Sequence, residues 1–264
     1  MGTFVSTRLA SLTACLVACA DGQPVPEGPP AYLALGDSVA FGFDPLVDMK
    51  QGATSYPQLV ADRHALELTN ASCPGEASGG FISPTGNDNH CRENRLAYPL
   101  RVSYEGTQLA FAYDFLASHA NTKLVTIDIG ANDVSKLNDE CKADAVCVLG
   151  GFVPLMLEYE HNLDIIFSEL REVYDGPLVA MAIYNPYPTD PLAGYGLERL
   201  NALLAEHVAK YDGVFADAMA AFKAASSDPC KDGLLIAMPD GTCDIHPSAA
   251  GNAVLADSID AVMR

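Results

Sequence analysis

Positive charge is scarce in this sequence: 15 Lys and Arg stand against 34 Asp and Glu in 264 residues, for a formal charge of −19. No Lys/Arg patch occurs, which excludes nucleic acid as a partner, because phosphate binding needs concentrated cationic charge. The acidity itself reads as a solubility device. Short CxxC and HxxxH spacings are missing, so no zinc site is expected, and no metal or other cofactor is required. A GxSxG elbow, an HExxH helix, a P-loop and a GxGxxG turn are absent as well. There is no internal repeat and no long low-complexity tract. With 49% apolar residues the chain can bury one sizeable core, and a single domain is expected rather than two small ones.

The N-terminus carries one positive charge at Arg8, an apolar run from Leu9 to Ala18 and then a Pro/Gly-rich polar stretch. This pattern reads as an export leader, its apolar run too short to span a bilayer as a helix. Leu16-Val17-Ala18-Cys19 resembles a bacterial lipobox, whose cysteine becomes the lipidated first residue of the mature protein. Leu12-Thr13-Ala14-Cys15 leaves too short an apolar run before it. The expected layout is a leader over 1–18, a lipidated Cys19 opening a linker over 19–30, and a folded domain over 31–264. An ordinary cleaved leader with free secretion is the alternative, and both put the domain outside the cytoplasm. Removing the leader takes Arg8 and no acidic residue, so the charge moves from −19 to −20 and belongs to the domain. Cysteines 73, 91, 141, 147, 230 and 243 remain, an even number in an oxidising compartment. Several connectivities are open to them; sequence neighbours suggest Cys73–Cys91, Cys141–Cys147 and Cys230–Cys243.

Apolar runs and amphipathic stretches alternate along the rest of the chain. Strands are predicted at 32–36, 123–130, 177–184 and 213–217, with an extended segment at 66–70. Helices are predicted at 55–65, 107–120, 154–174, 196–211 and 248–263, with Pro154 near the first turn of the third. This alternation implies a parallel sheet covered on both faces. Ligands in such folds gather where strands end, and Gly36-Asp37-Ser38 and Gly130-Ala131-Asn132-Asp133 both follow predicted strands. Serine needs a base and oxyanion donors to act as a nucleophile. Of six histidines, His64, His119, His161 and His207 fall on helices or their ends and His90 lies in a polar loop beside Cys91. His246 precedes Pro247 in a turn leading into the last predicted helix, a position that suits a catalytic group.

These residues resemble a GDSL-type hydrolase of the SGNH superfamily, over essentially the whole mature domain. Gly36-Asp37-Ser38 is similar to the first family block, Asn70-Ala71-Ser72-Cys73-Pro74-Gly75 to the second, Gly130-Ala131-Asn132-Asp133 to the third and His246-Pro247, followed by Gly251, to the last. The resemblance implies a flavodoxin-like three-layer α/β sandwich with a parallel five-stranded sheet. It implies Ser38 as nucleophile, His246 as base, and Ser38 N–H, Gly75 N–H and the Asn132 amide as oxyanion donors. Asp37 and Asp133 are read as structural, bonding loop backbone. The last block departs from the family's Asp-x-x-His: Cys243 stands three residues before His246, and Asp244 only two before. A Ser38–His246 dyad with a main-chain carbonyl acceptor is therefore favoured over a triad completed by Asp244 or Asp240. The implied activity is extracytoplasmic hydrolysis of carboxylic esters through an acyl-serine, by a monomer acting on a small-molecule, lipid or acylated-glycan ester. Its only membrane attachment would be the Cys19 lipid, since an acidic domain is repelled by anionic membranes. An acyltransferase or thioesterase with the same site, or a non-catalytic binding lipoprotein, is the alternative. The segment 184–196 reads as a loop beside the cleft.

Overall fold

A computed structural model describes Gly2 and residues 28–47 and 54–263. The expected leader, Cys15, Cys19 and most of the linker lie outside the described residues.

Strand β1 (Ala31–Gly36) is buried at every position. Tyr32 and Ala34 enter one core and Leu33 and Leu35 the other, because successive strand side chains point to opposite faces. A four-residue helix α1 (Ser38–Phe41) follows, then α2 (Tyr56–His64) and strand β2 (Glu67–Asn70). Short helices α3 (Ser78–Ile82) and α4 (Cys91–Ala97) precede α5 (Gln108–Ser118) and strand β3 (Thr122–Asp128). Helix α6 (Ala131–Glu140) leads to the long α7 (Ala145–Val173), then β4 (Leu178–Met181), α8 (Pro191–Lys210) and β5 (Val214–Ala216). Helix α9 (Ala218–Ala225), a hairpin of β6 (Leu235–Ala237) and β7 (Cys243–Pro247), and α10 (Ala249–Asp260) complete the order.

The five-stranded sheet runs β2-β1-β3-β4-β5 with every pair parallel. Helices α5, α7 and α8 pack Leu109, Phe115, Leu163, Ile166, Phe167 and Leu200 onto one face. Helices α2, α9 and α10 pack Val60, Phe222, Leu255 and Ile259 onto the other. Each such side chain contributes about 1.5–3 kcal/mol when fully buried. The result is the three-layer sandwich that the strand–helix alternation predicts.

Helices α1, α3, α4, α6 and α9 and strand β6 are additions to the sequence reading, and three further differences bear on the site. Helix α7 begins at Ala145 rather than near 154, since the Asp144 carboxylate caps it by accepting from the Cys147 N–H at 2.9 Å. Pro154 therefore sits inside the helix, where it removes one backbone bond. Helix α8 begins at Pro191 rather than 196: Asp190 accepts from the Leu192 and Ala193 N–H groups, and proline suits the first turn. His246 lies not in a turn but in β7, paired with β6.

Candidate active site

Ser38 opens α1 directly after β1, with Asp37 as the cap whose Oδ1 accepts from the Val39 N–H at 2.8 Å. The N–H of a first-turn residue has no partner within its helix, which leaves the Ser38 N–H available to an anion. Ser38 Oγ lies 2.8 Å from His246 Nε2. On the far side of the imidazole, Nδ1 lies 2.5 Å from Asp244 Oδ1, which also accepts from the His246 backbone N–H at 2.9 Å. The favoured reading of a main-chain acceptor is thus replaced by a carboxylate contact, and strand geometry is the reason. Residues two apart on β7 share a face, so Asp244 stands beside His246 while Cys243 is free to join Cys230. The hydrogen bond to His246 holds the Asp244 carboxyl below its ordinary range, against the opposing effect of burial. Asp240 is instead occupied by the Thr242 N–H and hydroxyl, at 3.0 and 2.6 Å.

Asn132 follows Gly130 at the start of α6. Its Oδ1 accepts from Asn89 Nδ2 at 3.0 Å and its Nδ2 donates to Asp37 Oδ2 at 3.1 Å. These bonds fix which end of the amide is which and leave the second N–H of Nδ2 uncommitted. Gly75 has a φ of +87°, and a Cβ there would lie 2.0 Å from the Asn89 carbonyl oxygen. Only glycine fits that turn. The Cys73–Cys91 disulfide joins this loop to α4, and Asn70 Nδ2 donates to the Ala40 carbonyl at 2.7 Å, tying it to α1. Asp133 holds the same region from α6, accepting from the Ser78 N–H at 3.0 Å and the Ser78 hydroxyl at 2.5 Å.

Several participants gave no local signal in the sequence. Gln108 accepts from the Gly36 N–H at 2.5 Å and donates to the Gly36 carbonyl at 3.0 Å and to Glu76 at 3.2 Å, linking the end of β1 to the Gly75 loop. Burial pushes Glu76 up to about 8. Asp128, at the end of β3, accepts from the Ala40 N–H at 3.2 Å and is raised well above the carboxylate range by burial and by Asp37. Asp37 is raised to about 6, again mainly by burial. The Phe43 ring lies 4.7 Å from the His246 ring, and Tyr184 donates to the Ile245 carbonyl at 2.6 Å, supporting β7.

Ser38, Gly75, Asn132 and His246 all line one trough of about 770 Å³, whose walls include Phe43, Leu149, Phe152, Ile183, Tyr195 and Ile245. Cys141–Cys147 ties the end of α6 to the start of α7, beside that wall. Cys73, Glu76 and Cys91 form the one cluster of metal-ligand types among the described residues, but both sulfurs are spent in the disulfide.

A parallel α/β sandwich with a serine in hydrogen-bond contact with a histidine at the end of its first strand is the architecture of an SGNH-type hydrolase. The chain belongs to the GDSL-like lipase/acylhydrolase family, whose model matches residues 34–254. No curated protein matches it. Its fold is similar to that of a phospholipase A1 from Streptomyces albidoflavus, at 18% identity and a TM-score of 0.59, over 89% of this chain and 99% of that one. An extracellular lipase from Streptomyces rimosus matches at 17% identity and a TM-score of 0.59, over 88% of this chain and 98% of that one. An acetylxylan esterase from Geobacillus stearothermophilus, solved as a catalytic mutant, matches at 18% identity and a TM-score of 0.55, over 91% of this chain and 96% of that one.

Proposed function

We propose that this chain is an exported esterase or lipase that cleaves carboxylic esters with an apolar acyl group, using Ser38, His246 and Asp244. The observation that carries the reading is the line Asp244–His246–Ser38, with contacts of 2.5 and 2.8 Å, opening into an apolar trough. With Nδ1 protonated and turned to Asp244, Nε2 accepts the Ser38 proton as the oxygen attacks the ester carbonyl. The tetrahedral oxyanion is then held by the Ser38 and Gly75 N–H groups and the Asn132 amide. His246 returns its proton to the departing alcohol, and water repeats the cycle on the acyl-serine.

The trough favours an extended acyl chain over acetyl, because Val148, Leu149, Phe152, Ile183, Leu197 and Ile245 give a chain apolar surface that a lone methyl group leaves unused. Export is supported by the leader pattern of residues 1–18 and by three disulfides, with Cys19 as the proposed lipid anchor. Release of p-nitrophenol from acetyl, octanoyl and palmitoyl esters tests the reading. The expected outcome is turnover that rises from acetyl to octanoyl and vanishes in Ser38→Ala. A folded chain inert toward all three, or equally active in Ser38→Ala, overturns it.

A further inference from the structure

The N-terminal half of α7 carries no charged side chain: from Ala145 to Leu157 every residue is apolar, glycine, proline or cysteine. Its fully buried positions begin only at Tyr159. Before that, Val146, Leu149, Val153 and Leu157 are 79%, 55%, 65% and 63% exposed. Their spacing of three and four residues puts them on one stripe of the helix. Leu149 also lines the catalytic trough, as do the exposed Tyr187, Leu192 and Tyr195. An apolar stripe continuous with a catalytic mouth, on a chain of charge −19, calls for an apolar occupant.

We propose that this stripe seats on the surface of a neutral or zwitterionic lipid aggregate and brings the trough mouth to its esters; the inference rests on the ester-hydrolase reading above. Continuity with the trough requires an occupant that can pass an ester to Ser38, and a lipid surface presents many. A second copy of the chain brings a second charge of −19 to the same face, which opposes association. An acylated glycan would want hydrogen-bond partners or stacking rings, and Val146, Val153 and Leu157 provide neither. Anionic lipid is disfavoured by the chain's own charge.

The test uses the full-length chain carrying Ser38→Ala, sedimented with phosphatidylcholine vesicles with and without Val146→Gln, Val153→Gln and Leu157→Gln. None of the three lines the trough, and glutamine is a good helix former. Since both chains share the same N-terminus, the difference reports the stripe. The expected result is a loss of vesicle partitioning of about tenfold or more. With Ser38 intact, the same triple change lowers hydrolysis of a micellar long-chain ester and leaves a monomeric short-chain ester unaffected. Equal partitioning of the two chains overturns the proposal. So does a dimer, seen by sedimentation velocity, that the triple change dissociates in a chain that never binds vesicles. Partitioning is read in the inactive chain, so it stands apart from the catalytic reading, which the monomeric ester tests.

Discussion

The His246 ring is held on both nitrogens and on one face, by Ser38, Asp244 and Phe43, so its tautomer and orientation are set before substrate arrives. Asp244→Ala is expected to lower kcat by roughly 10³- to 10⁴-fold with little change in KM. Undiminished turnover would return the orienting role to a main-chain carbonyl. Asn132→Ala is expected to cost roughly 10²- to 10³-fold in kcat, measured on the same ester, and an effect confined to KM would contradict its place in the oxyanion site. Ser38, Gly75, Asn132 and His246 were legible because each sits in a short block of adjacent residues. Asp244 was legible only as a candidate, since its claim depends on β7 being extended, which a three-residue partner strand does not announce. Gln108, Glu76 and Asn89 reach the site through contacts across 72, 32 and 43 positions of sequence, and no local pattern marks such pairs.

Among the elements, the sheet and its principal helices follow from apolar periodicity, while the two helix starts that flank the trough do not. Pro154 reads as a beginning and Gly194 and Gly196 read as loop, yet the caps at Asp144 and Asp190 extend both helices toward the active site. Those extensions supply Phe152 and Tyr195 to the trough wall. Phe152→Ala is expected to lower kcat/KM for an octanoyl ester by roughly tenfold relative to acetyl; an equal change for both esters would remove Phe152 from the acyl path. The hairpin that carries His246 is stapled by Cys230–Cys243, which closes a loop of 13 positions. Replacing both cysteines with serine should lower stability by about 2–4 kcal/mol, read from the denaturant midpoint, and an unchanged midpoint would contradict it.

For the whole molecule, buried carboxyls set the pH dependence. Glu76 is pushed up to about 8, Asp37 and Asp133 to about 6, and Asp128 well above the carboxylate range, each chiefly by burial. In the unfolded chain such groups ionise near pH 4. Through the interval from about pH 4 to 8 the folded state therefore holds more protons, and stability falls as pH rises. The melting temperature should drop between about pH 4 and 8, and Glu76→Gln should flatten the upper part of that drop, from about pH 6 to 8. A flat or rising wild-type profile would contradict the assignment. The charge of −19 acts in the same direction, since added negative charge increases self-repulsion. The central claim, that Ser38 is the nucleophile and His246 its base, is tested most directly by fluorophosphonate labelling followed by peptide mass spectrometry. The account predicts an adduct on Ser38 that is lost in His246→Ala. Modification of a different serine, or no adduct in a chain that hydrolyses esters, would contradict it.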